Sequence, residues 1–441
     1  MPFQDLREYM AFLETRGELL TVEEEVDPVF EIAAYLRKTS DTFGPALRFT
    51  RVKGHGMQVA GGFFNTRDRV VEALGYTRED ALERFLQGIR NPLKPVEVMR
   101  APCQELVFLG DEIDLTRFPF PTYCRADGGA FITMALQITR DPETGAANAS
   151  IHRQQLKGKN RLGLWASEYK HLMVHLSKAE SKGKGLEIAV VQGMEPALLL
   201  GSQVRAAYGV DELAITGGLR GEPVETVKCK TVDVMVPARA EMVFEGRLIP
   251  GHREEEGPFG EFTGYYGKVT SSPVMEVTAV TMRRDAVWQA GLTGPPATEN
   301  HLMMELPHEA TMYHDLKQLF PEVRAVHFPV TGCTRHTVYI SAKIRYRHQA
   351  RCILTTALGA SIKPKFAVLC DEDVDVYDEA QVLWAVNTRC RPAKDVMIIE
   401  DNCFIGLDPS AEEGMSSSMA IDATRPFGET FPDIAQVPGV E

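Results

Sequence analysis

Between about residues 130 and 300 the chain returns repeatedly to short apolar and β-branched runs closed by turn residues. No other feature constrains its fold as much. The runs are FITMALQITRD, EIAVVQG, VKCKTVDVMVPA, AEMVFEGRLI and SPVMEVTAVTMRRDAVWQA. Several alternate apolar and polar residues, the period of a half-buried strand. Helical signals lie between some of them, so the segment reads as a mixed α+β or barrel-like domain.

The flanks differ. Leu6, Tyr9, Met10 and Leu13 fall at helical spacing with Gly17 as the stop. A second helix fits PVFEIAAYLRKTS. A third opens at TREDALERFLQGI, where Thr77 and Asp80 stand at capping-box spacing. Pro92, Pro95, Pro102, Pro119 and Pro121 then punctuate a loop-rich passage that places the first domain boundary. Beyond 300, PHEATMYHDLKQLFP reads as a helix leading out of the strand-rich domain. From about 320 the segment VRAVHFPVTGCTRHTVYISAKI, a helix, FAVLCDEDVDV, the helix EAQVLWAVNTR and the strand DVMIIED predict a small α/β domain. Internal repeats and low-complexity tracts are absent from the sequence.

At 441 residues, 44% hydrophobic and 25% charged, the chain has material for two or three domains. A net charge of −13 argues against a nucleic-acid or anionic-membrane surface. The opening MPFQDLREYMAFLETRGELL lacks an apolar core and predicts no export signal. No uncharged apolar run approaches membrane-spanning length. Eight cysteines without a CxxC pair predict free thiols in a reducing cytoplasm.

Most motif-like stretches resolve to structural readings. DEDVDVYDEAQV has Val376 and Val382 where a calcium loop needs Gly and Glu, so it reads as an acidic strand end capping the next helix. HLMVH puts His171 and His175 at i, i+4, but Leu172 replaces the glutamate of a metallopeptidase. GGLRGEP is not a dinucleotide fingerprint, and no Walker sequence occurs. GLTGPPATEN is a rigid turn of the kind that also walls pockets. In NASIHRQQLKGKN, a strand would send Asn148, Ser150 and His152 to one face and Ile151 and Arg153 to the other. HREEEGPFGEFTGYYG sets Glu256 and Glu261 around a Gly-Pro-Phe-Gly turn. A glutamate held in such an aromatic loop is a candidate for desolvation and proton delivery, and a second beside an arginine would orient it. A solvated acidic turn is the alternative.

Six ordered blocks carry a resemblance: NASIHRQQLKGKN, SEYKHL, VDELAITGGLRGEPVETVKCKTVDVMVPARAEMVFEG, EGPFGEFTGYYG, KFAVLCDEDVD and AIDATRP. Together they resemble the UbiD-like family of prenylated-FMN-dependent decarboxylases, from the N-terminal helix to near the C-terminus. The resemblance implies an α+β and α/β multidomain fold. An N-terminal α/β region (1–115) would precede a split β-barrel flavin-binding domain (116–305). A linking helix (306–325) would lead to a C-terminal α/β oligomerisation domain (326–441).

The resemblance also implies a reversible carboxy-lyase acting on an aromatic, heteroaromatic or α,β-unsaturated acid and releasing CO2. A flavin prenyltransferase would supply the cofactor, and the assembly would be a homodimer or homohexamer. Asn148, His171 and Glu212 match the family's ligands to a divalent metal, Mn2+ or Mg2+, that bridges the cofactor phosphate, with K+ nearby. His175 is then a helix-face residue. Ala149, Ser150, Ile151, His152, Arg153, Lys170, Ser202 and Lys365 join the implied cofactor-binding set. Arg153, Glu256 and Glu261 match the catalytic network. Glu256 would pair with Arg153, and Glu261 would stand free to cycle the proton that replaces CO2. Lys170 either reaches the cofactor phosphate or a substrate acid, or points to solvent. Phe262 would line the substrate pocket, with His301 and His308 adding polar recognition. Two other functions fit the same residues: a flavin-independent metal hydrolase, and a non-catalytic subunit of a carboxylase complex.

Overall fold

The structure, a computed structural model, describes residues 3–404 and 406–435, without the side chains of Cys403 and Phe404. It divides into two compact units between Pro307 and His308. No described helix is long and apolar enough to cross a membrane.

Local rules hold through the N-terminal region. The first helix spans Leu6–Thr15, buries Leu6, Tyr9, Met10 and Leu13, and is capped by Asp5, which accepts the Glu8 N–H at 2.9 Å. The second starts at Glu31 rather than Pro28, because Phe30 at φ 73° lies outside the helical region. Thr77 and Asp80 form the reciprocal box, with bonds of 2.7 and 3.4 Å, ahead of the helix Ala81–Arg90.

The first unit is built on a sheet of nine strands among the described residues. Its order shows why it curls. Ala147–Ile151 lies at one end, and Gln154–Leu156 lies second from the other. On a flat sheet the two would stand roughly 29 Å apart at about 4.8 Å per strand. Only His152 and Arg153 connect them, a reach of about 11 Å at most. The sheet must therefore bend until its ends meet. The short link from Phe131–Ile132 to Ala135–Arg140 demands the same closure. The result is a split barrel with Arg153 at the seam.

Two long strands, Met242–Glu256 and Thr270–Met282, form its antiparallel wall, with register shifts at Glu245/Gly246 and Leu248/Arg253. A Cβ on Gly246 would fall 2.1 Å from the Glu276 carbonyl oxygen, so the closest approach of these strands requires glycine. The single strand expected over VKCKTVDVMVPA is instead a hairpin, Glu225–Lys228 with Met235–Pro237. Its turn is captured by Glu245, whose carboxylate accepts the Lys230 and Thr231 N–H groups at 2.9 and 2.7 Å. Trp288 sits fully buried in the core, 4.7 Å from the Phe120 ring centroid and 6.3 Å from that of Phe244.

The helix expected over PHEATMYHDLKQLFP runs Glu299–Leu319. The second unit carries a five-stranded sheet in the order Val323–His327, Thr337–Ala342, Phe366–Cys370, Met415–Ala423, Val396–Phe404. Its central pairings are parallel, as strand–helix alternation requires. The acidic DEDVDVYDEAQV stretch is a strand end: Asp378 caps the helix Glu379–Arg389, and Asp371 and Asp373 hold the buried Arg389. The seven cysteines with described side chains are free thiols.

Candidate active site

Arg153 is held from two directions. Its Nε and Nη2 each donate to a different oxygen of Glu256 at 2.8 Å, a fork-on-fork pair that fixes the plane of the guanidinium. Its Nη1 is ion-paired with Glu261. The guanidinium carbon lies 4.7 Å from the Trp165 ring centroid and 5.0 Å from that of Phe259, so aromatic faces line the group. Glu256 is 0% exposed and Glu261 7%. One guanidinium therefore serves both acids. With both carboxylates ionised, the buried triad carries a formal charge of −1, which a single proton cancels.

The positions follow from the strands. Glu256 ends the long strand Met242–Glu256 opposite Thr270. The chain then turns at Gly257 (φ 90°) into the short strand Phe259–Gly260, paired with Tyr266–Gly267, and Glu261 follows at once. A second loop clamps this turn. Asp127 accepts the Gly260 N–H at 2.9 Å and the Cys124 N–H at 2.7 Å. Gln155 accepts the Gly257 N–H at 3.1 Å and donates to the Gly128 carbonyl at 2.6 Å. The Tyr266 hydroxyl accepts the Ala126 N–H at 3.1 Å.

A second constellation lies along the strand Ala147–Ile151. Asn148, Ser150 and His152 share a face: Asn148 Nδ2 donates to Ser150 Oγ at 3.1 Å, and Ser150 Oγ meets His152 Nε2 at 3.0 Å. The Ala149 N–H donates to Glu212 at 2.8 Å, bringing the helix Glu212–Arg220 against this strand. The helix His171–Ser181, with His171 as its first residue, packs on the same strand. Burial pushes His152 down to about 3, with Lys170 and Arg205 adding to the effect, so its imidazole is neutral. Burial lowers His171 too, followed by the same two cations. Burial pushes Glu212 up to about 8, against the lowering effect of the Ala149 N–H it accepts. A buried carboxylate, an amide and an imidazole carried on adjoining elements form a donor set suited to a divalent ion. Lys170 and Arg205 add the positive field that a phosphate needs. These residues fit the metal and phosphate implied by the sequence.

His175 is a core histidine, 3.0 Å from Thr139 Oγ1 and pushed down to about 4 by burial. Ser202 Oγ donates to the Leu199 carbonyl at 2.7 Å. Phe262 is buried directly after Glu261. Both His301 nitrogens meet protein atoms: Nδ1 accepts the Thr298 N–H at 3.2 Å, and Nε2 reaches the Phe262 carbonyl at 2.7 Å. His301 is thereby tied to the Phe262 backbone. His308 and Lys365 belong to the second unit, where His308 Nδ1 meets the Thr334 carbonyl and Lys365 pairs with Asp408 at 2.8 Å. Trp165, Asp127, Gln155 and Arg205 were not singled out from the sequence. A tryptophan just after the NASIHRQQLKGKN block was the one available signal.

A family model for the 3-octaprenyl-4-hydroxybenzoate carboxy-lyase Rift-related domain matches residues 94–296. Models for the N-terminal and C-terminal domains of that enzyme match 10–89 and 301–423. The split barrel and these matches define the chain as a carboxy-lyase. It is similar along its length to the UbiD-class enzyme HmfF from Pelotomaculum thermopropionicum in complex with FMN: 41% identity, 99% of this chain and 98% of that one, TM-score 0.91. An evolved dimeric form of HmfF in complex with prFMN matches at 39% identity, 99% and 98% coverage, TM-score 0.90. The closed form of vanillic acid decarboxylase from Sedimentibacter hydroxybenzoicus matches at 33%, 99% and 96%, TM-score 0.91. The chain belongs to the UbiD family.

Proposed function

We propose that this chain catalyses the reversible, non-oxidative decarboxylation of an aromatic, heteroaromatic or α,β-unsaturated carboxylic acid with prenylated FMN. The observation that carries the reading is Arg153 at the barrel seam, gripped by Glu256, reached by Glu261 and lined by Trp165 and Phe259. When bound, the prenylated flavin supplies an electrophilic centre for the electron pair of the breaking C–C bond.

The chain's own residues do the rest. Asn148, His171 and Glu212 would hold Mn2+ or Mg2+, K+ would serve as a second cation, and Lys170 and Arg205 would add positive field for a cofactor phosphate. Arg153 presents its guanidinium to the substrate carboxylate, and Glu256 keeps that plane aimed. Glu261, joined to Arg153 by one ion pair rather than two hydrogen bonds, is the acid that gives its proton to the carbon losing CO2. Phe262 offers a flat apolar ring to the substrate, and His301 fixes its backbone. The second unit supports a dimer or hexamer through exposed Leu383, Trp384 and Ile398. The composition suits a cytoplasmic enzyme that draws its cofactor from a flavin prenyltransferase.

The test is expression with and without a flavin prenyltransferase, followed by the visible spectrum and the mass of the released cofactor. Prenylated FMN bound only after co-expression, and lost in Asn148→Ala and His171→Ala, supports the reading. A colourless protein under both conditions, with metal present but no flavin, overturns it.

A further inference from the structure

We infer that Tyr208 is a positioning residue for the divalent-ion site, fastening together the three segments that carry Asn148, His171 and Glu212. The inference rests on the ligand assignment under Proposed function and extends it to a residue outside the proposed ligand set.

The three ligand-bearing segments are far apart in sequence, and Tyr208 is where they converge. Its hydroxyl bonds Asp141 Oδ2. Asp141 opens the turn that leads into the Asn148 strand, and its N–H donates to the Ala146 carbonyl at 2.8 Å to close that turn. Oδ1 of the same carboxylate accepts the Glu143 and Thr144 N–H groups at 2.8 and 3.3 Å, so Asp141 has no freedom to swing. Lys178 Nζ donates to Asp141 Oδ2 at 2.8 Å, which ties in the helix that begins with His171.

The ring of Tyr208 completes the fastener. It stands edge-on to His171 at 5.1 Å and 83°, and to His175 at 5.8 Å and 81°. Lys178 Nζ lies 5.1 Å from its centroid. Residues 171, 175 and 178 share one helix face, so a single aromatic ring follows that face past the ligand histidine. Tyr208 itself lies four residues before Glu212, and Asp211 between them caps the Glu212 helix by accepting the Leu213 N–H at 2.9 Å. One hydroxyl–carboxylate bond thus sets the turn before Asn148, the helix of His171 and the approach to Glu212 against one another.

Tyr208 is 43% exposed, and a half-exposed tyrosine has no need of a buried carboxylate partner for its own solvation. The bond instead fixes the ring, and the ring restricts the orientation of the His171 imidazole. Outer groups that orient metal ligands typically alter affinity by about 10- to 100-fold when removed.

The experiment titrates Mn2+ into metal-free full-length protein loaded with FMN and reads free Mn2+ by EPR, alongside the Tm of each metal-free variant. Tyr208→Phe keeps the ring and loses the bond to Asp141. Tyr208→Ala loses both. His171→Ala is the ligand control. The inference expects Mn2+ affinity about tenfold weaker in Tyr208→Phe and weaker still in Tyr208→Ala, with the metal-free Tm of Tyr208→Phe unchanged. Wild-type affinity in both Tyr208 variants, with binding lost in His171→Ala, overturns the fastener and leaves the ligand assignment standing. Wild-type protein whose Mn2+ binding is absent, or indifferent to His171→Ala, overturns both.

Discussion

Gly267→Ala displaces the proposed proton donor without altering its chemistry. A Cβ built on Gly267 falls 2.9 Å from Glu261 Oε1 and 3.3 Å from its Cγ, whereas ordinary contact begins near 3.4 Å. The crowded atom is the end of a side chain, so the carboxylate moves by about 0.5 Å and the backbone stays. Gly267 is not among the glycines at positive φ, so alanine is conformationally acceptable there. Stability then changes by less than about 1 kcal/mol, because the entropic gain from replacing glycine offsets residual crowding. Catalysis is less forgiving: a displacement of this size costs about 10- to 100-fold, or about 1.4–2.7 kcal/mol of barrier. The assay is CO2 release from an accepted acid by prenylated-FMN-loaded enzyme, read as kcat and KM, with Tm measured in parallel. The reasoning expects kcat to fall while KM and Tm hold. Wild-type kcat in Gly267→Ala would refute the claim that the position of Glu261 limits the reaction, and a collapsed Tm would refute the claim that only a side chain gives way.

Glu256→Gln keeps one acceptor for Arg153 without its charge and sets an amide NH2 against the other guanidinium N–H, while Glu261 still balances the charge of Arg153. Denaturant titration should show a loss of about 1.5–3 kcal/mol from the charge-assisted hydrogen bonds, and CO2 release should fall at least about 100-fold; unchanged stability would contradict the claim that the fork holds Arg153. Trp165→Leu removes one aromatic face from the guanidinium. It should cost about 0.5–2 kcal/mol in stability, and a larger fall in kcat than in Tm would mark the ring as part of the site. Arg253 holds Glu180 through bonds of 2.9 and 3.0 Å and lowers its pKa below the ordinary 4.5 against the opposing effect of burial. Since the folded-state value is the lower one, this stabilisation is present above about pH 4.5 and is lost as pH falls through the folded value. The stability difference between wild type and Arg253→Met should therefore be constant from about pH 8 to 5 and shrink on further acidification. A difference that grows toward acid would reverse the sign of the argument.

Local signals in the sequence read through to the structure wherever one segment decides the outcome. The first helix buried the four residues its spacing named, and the Asn148, Ser150 and His152 face follows from strand alternation alone. The acidic stretch from Asp371 behaves as a strand end and helix cap because its own residues suffice for that. Reading failed where a distant residue intervenes. Glu245 captures the Lys230 turn from a strand of another sheet, and Phe30 delays a helix that composition would start earlier. The Glu256 and Glu261 pair was legible from the Gly/Pro-shaped turn and the family resemblance. Its sharing of one guanidinium was not, since Arg153 comes from a segment more than a hundred residues away. Trp165 and Asp127 complete the site from loops, and no period or spacing connects them to Arg153. The spacing of Lys365 likewise said nothing of Asp408, which takes its ammonium.

The most direct test of the account is CO2 release from a panel of aromatic, heteroaromatic and α,β-unsaturated acids. Wild-type protein loaded with prenylated FMN would be compared with the same protein loaded with FMN and with prenylated-FMN-loaded Glu261→Gln. The account predicts release from at least one acid by the prenylated-FMN wild type, and almost none by the other two. Equal release with FMN, equal release by Glu261→Gln, or no release from any acid by fully loaded wild type would contradict it.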